Sequence, residues 1–134
     1  CGTSLATASY IVDCSGKPLL QSPKWVVSGG VSQTVDLANG GRIVLDVRSR
    51  FETSRQTSET FLAATEAGSN TRTDLTATYH DPSDKFTLAA YVNNLENKDV
   101  VGSAFVSPLY PLFNYATATL RPPRIYGVRA GVKF

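Results

Sequence analysis

The sequence predicts an all-β fold, an antiparallel sheet of the kind that makes the wall of a transmembrane β-barrel. Three observations predict it. Apolar and polar residues alternate with period two along five separate runs, so each run presents one apolar and one wet face. The connections between the runs are by turns short and long, the rhythm of a barrel whose hairpins are tight on one side of a membrane and extended on the other. The last run sets Tyr126, Val128, Ala130, Val132 and Phe134 against Gly127, Arg129, Gly131 and Lys133, and closes on an aromatic, a residue class that such barrels place at the interface.

Composition narrows the alternatives. A length of 134 residues suits one soluble domain or five to six barrel strands with their loops, so size does not choose between them. No window approaches the ~18 uninterrupted apolar residues of a membrane helix. An α-helical membrane protein is therefore excluded, while a barrel, which carries its apolar residues by alternation, is not. The 13 Lys and Arg are scattered among 11 acids without a basic run, so nucleic-acid binding gains no support. The chain begins at Cys1, contains no Met and has no segment resembling a signal peptide, which marks it as a processed protein or a piece of a longer one. Cys1 and Cys14 are candidates for a disulfide in an oxidising compartment, worth roughly 3 kcal/mol for so short a loop; the alternative is two free thiols.

Residues 1–22 are rich in Ser, Thr and Gly and read as a loop, with at most the tail of an earlier strand. The first run covers about residues 24–37. Trp25, Val27, Gly29, Val31, Val35 and Leu37 share one parity, against Lys24, Val26, Ser28, Gly30, Ser32, Thr34 and Asp36. Such a strand is far longer than the usual ~5–6 residues. Asn39-Gly40-Gly41 then supplies the positive-φ residues of a tight hairpin. The second run, residues 42–54, places Ile43, Leu45, Val47 and Phe51 opposite Arg42, Asp46, Arg48, Arg50 and Glu52, a mixed-sign charged row suited to a wet lumen. Residues 55–70 form a long polar connection with room for a short helix around Glu59 to Glu66. The third run covers residues 71–80, with Leu75, Ala77 and Tyr79 apart from Asp74, Thr76, Thr78 and His80. Asp81-Pro82-Ser83-Asp84 is a turn in which proline presets φ. The fourth run, residues 85–95, alternates Phe86, Leu88, Ala90 and Val92 with Thr87, Ala89, Tyr91 and Asn93. Residues 96–118 are the longest connection, and an aromatic one, with Phe105, Tyr110, Phe113 and Tyr115. If the tight turns face the periplasm, the fifth run descends and Phe134 reaches the periplasmic interface.

These pieces resemble the C-terminal end of a TonB-dependent outer-membrane receptor. The resemblance rests on SGKPLLQSPKW opening a strand, on DKFTLAAYVNNLENKD and on the terminal PRIYGVRAGVKF, and it covers roughly residues 15–134. Asn94-Leu95-Glu96-Asn97-Lys98 fits the close of the family's penultimate strand, and Pro123-Arg124 with Phe134 fits the last one. It implies a barrel of about 22 strands, of which these would be the last five, with a plug domain and a TonB-binding segment that these residues do not contain. It further implies the outer membrane of a Gram-negative bacterium, contact with membrane lipid, and energised uptake of a scarce small-molecule ligand such as an iron–siderophore complex. Coupling to the TonB-ExbB-ExbD complex would run through the missing N-terminal parts. Tyr126, Val128, Val132 and Phe134 would be the signal read by the barrel-assembly machinery, or simply lipid-facing wall. Phe105, Tyr110, Phe113 and Tyr115 would lie outside as ligand-binding candidates, or pack as an aromatic girdle.

Catalysis finds no constellation. The single histidine, His80, sits beside Asp81 and reads as a solvated turn residue, and neither zinc-type cysteine spacing nor a phosphate-cradling glycine loop is present. No enzyme activity, cofactor or metal is expected. The competing reading is a soluble antiparallel β-barrel or sandwich that turns its apolar faces inward around a small apolar ligand.

Overall fold

The computed structural model describes residues 2–3, 12–107 and 116–134. Its strands, in chain order, are β1 (Gly2–Thr3), β2 (Val12–Asp13), β3 (Val26–Asp36), β4 (Arg42–Glu52), β5 (Arg55–Gln56), β6 (Glu66–Ala67), β7 (Asn70–His80), β8 (Phe86–Asn93), β9 (Val101–Val106), β10 (Ala116–Leu120) and β11 (Ile125–Val132). The five alternating runs become β3, β4, β7, β8 and β11, each within a few residues of its expected limits. They form one antiparallel sheet in the order β11-β8-β7-β4-β3. Among the described residues no strand covers the outer edge of β3 or of β11. The all-β, antiparallel expectation therefore holds, and the sheet is open rather than closed into a barrel.

Both tight turns have local causes. In the first, the Leu37 N–H donates to the Gly41 carbonyl (2.8 Å) and the Gly40 N–H to the Leu37 carbonyl (2.9 Å). Only Gly40 of the Asn39-Gly40-Gly41 triplet takes a positive φ, at 85°. Asn39 serves differently from expectation, accepting the Gly41 N–H on its side-chain oxygen at 3.0 Å. In the second turn the Asp84 N–H donates to the Asp81 carbonyl at 3.0 Å. The end of β11 lies beside that turn, since the Lys133 N–H donates to the Lys85 carbonyl at 2.8 Å. The tight turns and the close of β11 thus share one end of the sheet, as the parity of the runs requires.

The described chain divides into two compact units. The sheet is one, formed by Trp25–Glu52, Asn70–Asp99 and Pro122–Phe134; the other gathers the described parts of Cys1–Lys24, Thr53–Ser69 and Val100–Arg121. The described parts of the long connections are therefore folded rather than loose. β1 pairs with β2, β5 with β6, and β9 with β10, all antiparallel. Gln21 and Arg55 lace three chain segments together. The Arg55 guanidinium donates to the Gln21 side-chain oxygen at 3.0 Å and to the Val101 carbonyl at 3.2 Å, and the Gln21 amide donates to the Gly102 carbonyl at 3.1 Å. The helix expected around Glu59 to Glu66 is replaced by a single 3-10 turn at Ala63–Thr65. Threonines displace it: the Thr57 hydroxyl and N–H both bond the Thr65 carbonyl, and the Thr65 hydroxyl bonds the Leu62 carbonyl at 2.8 Å.

Candidate membrane-facing surface

Register turns the five alternating strands into one two-faced surface. Val31 of β3 faces Val47 of β4, Val47 faces Leu75 of β7, Leu75 faces Val92 of β8, and Val92 faces Tyr126 of β11. The next row runs through Leu45, Ala77, Ala90 and Val128, with the polar Gln33 as its member on the edge strand β3, and the one after it through Val35, Ile43, Tyr79, Leu88 and Ala130. A slip of one residue would have turned polar side chains, and on β4 and β7 charged ones, into this face. This apolar face is uncovered. Val31 is 70% exposed, Val128 71% and Tyr126 78%, and the buried apolar side chains among the described residues, Ala67 and Val100, both belong to the other unit. An apolar expanse spanning five strands exceeds what a monomeric protein normally shows to water.

Strand length and aromatic placement fit one kind of cover. β3, β4 and β7 have 11 residues each. At about 3.3 Å per residue such a strand is ~36 Å long, and a tilt of about 40° brings it to ~28 Å, near the ~25–30 Å of a bilayer's apolar band. The aromatics of the apolar face sit at strand ends: Phe51 near the end of β4, Tyr79 near the end of β7, Phe86 at the start of β8 and Tyr126 near the start of β11. Strand centres are aliphatic. Interfacial girdles around a hydrocarbon band have this distribution, whereas a soluble core has no reason to exclude aromatics from its middle. No helix among the described residues is long and apolar enough to cross a membrane.

The reverse face is polar. It carries Arg42, Asp46, Arg48, Arg50 and Glu52 of β4, with Arg72 and Asp74 of β7 beside them. Arg50 meets Glu52 at 3.6 Å and Arg72 meets Asp74 at 3.4 Å. At the tight-turn end the Arg42 guanidinium contacts both Asp84 oxygens (2.9 and 3.0 Å), and His80 Nδ1 lies 3.3 Å from the same carboxylate. His80 is thus a turn-anchoring residue. On β11 the missing side chain of Gly127 makes room for the Tyr91 ring, which a Cβ there would meet at 2.7–2.9 Å, and the Arg129 guanidinium stands 6.0 Å from that ring's centre.

The Asn94-Leu95-Glu96-Asn97-Lys98 stretch forms a clasp. Pairing of β7 with β8 stops at Leu75 and Val92, so residues 70–74 project past β8. Asn94 and Asn97 adopt left-handed φ angles of 57° and 52°, which asparagine tolerates better than other side chains. The chain so turned folds back onto the projecting strand. The Leu95 N–H donates to the Thr73 carbonyl at 2.9 Å, the Thr73 N–H and hydroxyl donate to the Glu96 carboxylate, and the Asn94 N–H donates to Asp74 at 2.9 Å. The Asn94 side chain, 3% exposed as a residue, accepts from the Lys98 N–H (3.2 Å) and donates to the carbonyls of Lys98 (3.1 Å) and Pro122 (3.3 Å). Asn97 accepts the Arg124 N–H at 3.2 Å, fixing the approach to β11. The Thr73 hydroxyl, with its N–H, holds the Glu96 carboxyl below its ordinary 4.5. In the turn before β8 the Ser83 hydroxyl, then the Phe86 N–H, hold the Asp81 carboxyl below its ordinary 3.8.

The residues singled out by sequence are partly assembled. Tyr126, Val128 and Val132 share the exposed apolar face on the edge strand β11, and Phe134 follows them fully exposed. Phe105 lies in the β9–β10 hairpin, 61% exposed; Tyr110, Phe113 and Tyr115 fall outside the described residues. Cys14 is disulfide-bonded, while Cys1 lies outside the described residues. Sequence reasoning missed the clasp, and it missed an open apolar hollow of about 560 Å³ lined by Ala77 and Ala90 together with Leu45, Leu75, Val92 and Tyr126. Two alanines directly opposite each other between bulkier neighbours are the signal, but only register brings them together. No family model, curated protein or solved structure matches the chain.

Proposed function

We propose that the sheet is a stretch of the wall of an outer-membrane β-barrel, as in a TonB-dependent receptor that imports a scarce small-molecule ligand such as an iron–siderophore complex. One observation carries this reading: a single-layer sheet whose continuous apolar face is uncovered, aliphatic in its middle and aromatic at its strand ends, backed by a charged face. The edges of β3 and β11, unpartnered among the described residues, add to it, because open edges are unsatisfied in lipid and call for further strands to close the wall. In this reading the apolar face meets membrane lipid and the charged face lines a wet lumen around a plug. The folded long connections then lie outside, energy arrives from TonB-ExbB-ExbD through the plug, and Tyr126, Val128, Val132 and Phe134 engage the assembly machinery. The chain is expected to require detergent or lipid for a monodisperse state. A thermally cooperative monomer in plain buffer, seen by size-exclusion chromatography with light scattering, would sink the proposal.

A second reading rests on the hollow over Ala77 and Ala90. Its lining is almost wholly apolar, and its volume falls in the ~300–1,000 Å³ range of small-molecule sites. In a soluble barrel or sandwich it would hold a small apolar ligand, and that plain-buffer monomer is the result this second reading requires.

A further inference from the structure

The charged face sets like charges directly against each other even though acids flank them. Arg50 of β4 and Arg72 of β7 stand directly opposite one another. Like charges so placed weaken a sheet. Arg48 lies two residues along β4 on the same face and has no ion pair among the described residues. Asp74, which faces Arg48 across the strands, is already occupied by Arg72 and by the Asn94 N–H. On the other flank Arg50 and Arg48 face Ser28 and Gly30 of β3, which bring neither an acid nor bulk.

Opposed residues in a sheet have Cβ atoms roughly 5 Å apart, and residues two apart on one strand are roughly 7 Å apart. Three guanidinium groups are therefore within reach of one small ligand. Of the acids beside them, Asp74 stands within the group opposite Arg48 and is held by Arg72 and the Asn94 N–H, Glu52 touches Arg50 from beyond at 3.6 Å, and Asp46 follows Arg48 on the other side, opposite Ser32 and Thr76. Each arginine keeps N–H donors free for a second partner, and the Arg50 side chain is 53% exposed.

We infer that Arg48, Arg50 and Arg72 form a binding site for a small oxyanion bearing two or more carboxylate or phosphate groups. Planar guanidinium forks suit such oxygens, which accept two parallel N–H bonds from each. The bound anion also relieves the Arg50–Arg72 repulsion. This site does not depend on the membrane proposal, because the charged face meets water whether the apolar face lies against lipid or against a soluble core.

The test is calorimetric titration of citrate, and separately of pyrophosphate, into the folded chain in detergent or in whichever buffer keeps it monodisperse. Saturable one-to-one binding of at least one probe is expected, weakening as salt is raised. Each of R48Q, R50Q and R72Q should reduce the affinity about tenfold or more, while Lys133→Gln, on the same face at the other end, leaves it unchanged. Absence of saturable binding with both probes, or binding unaltered by all three arginine substitutions, would overturn the site.

Discussion

Replacing Val47 by arginine should lower folding stability in a bilayer by about 2–4 kcal/mol, the cost of an arginine near the midplane on a barrel's lipid face. Val47 sits at the middle of β4 between Val31 and Leu75. The same substitution at Ile43, next to the tight-turn end, should cost only about 0–1 kcal/mol, because that depth lies near the headgroups. On the reverse face Ser32→Arg is expected to be close to neutral. Urea titrations of the reconstituted protein, followed by far-ultraviolet circular dichroism, measure all three. The gradient along the strand matters more than the single value. A soluble core would penalise Val47 and Ile43 alike, since burying an unpaired charge is costly wherever the core is closed.

Truncating Asn94 to alanine should cost about 2–4 kcal/mol, because it leaves the Lys98 N–H and the carbonyls of Lys98 and Pro122 without their partner at a buried position. Alanine is also strained at the left-handed φ of 57°. Asn94→Gly relieves that strain while removing the same three bonds, so it should retain most of the loss. A change below about 0.5 kcal/mol for both variants would reduce the clasp to decoration. Acid tests the same element. The Glu96 carboxyl is held below its ordinary 4.5 in the folded chain, so its contribution is present in full above 4.5 and disappears as the pH falls through the lowered folded value. Glu96→Gln should flatten that part of the stability–pH curve.

Legibility in the sequence followed how local each cause is. The strands of the sheet could be read because charged and apolar residues alternate within each, as in Arg42 to Glu52, and the tight turns because glycine and proline act on their own neighbours. The β5–β6 hairpin could not be read: its strands are two residues long, and only the Thr57 and Thr65 bonds across it decide against a helix. The β9–β10 hairpin is obscured by Gly102 and by a register shift at Thr119 and Leu120, both of which break the alternation. The clasp is intermediate. Two asparagines three apart after a strand are visible, yet their purpose depends on β8 ending before β7 does. The meeting of Arg50 with Arg72 is fixed by register alone, which no single strand encodes. Alternation within each strand sets its apolar parity, but only pairing joins those parities into one surface.

Nitroxide labels placed singly at positions 45, 46, 47 and 48 of β4, in protein reconstituted into lipid vesicles, test the central claim most directly. Collision with dissolved oxygen reports lipid, and collision with a water-soluble nickel chelate reports water. The proposed wall predicts alternation: oxygen contact dominant at 45 and 47, nickel contact dominant at 46 and 48. Labels at 45 and 47 that are shielded from both reagents, or reached by nickel as readily as those at 46 and 48, would contradict it.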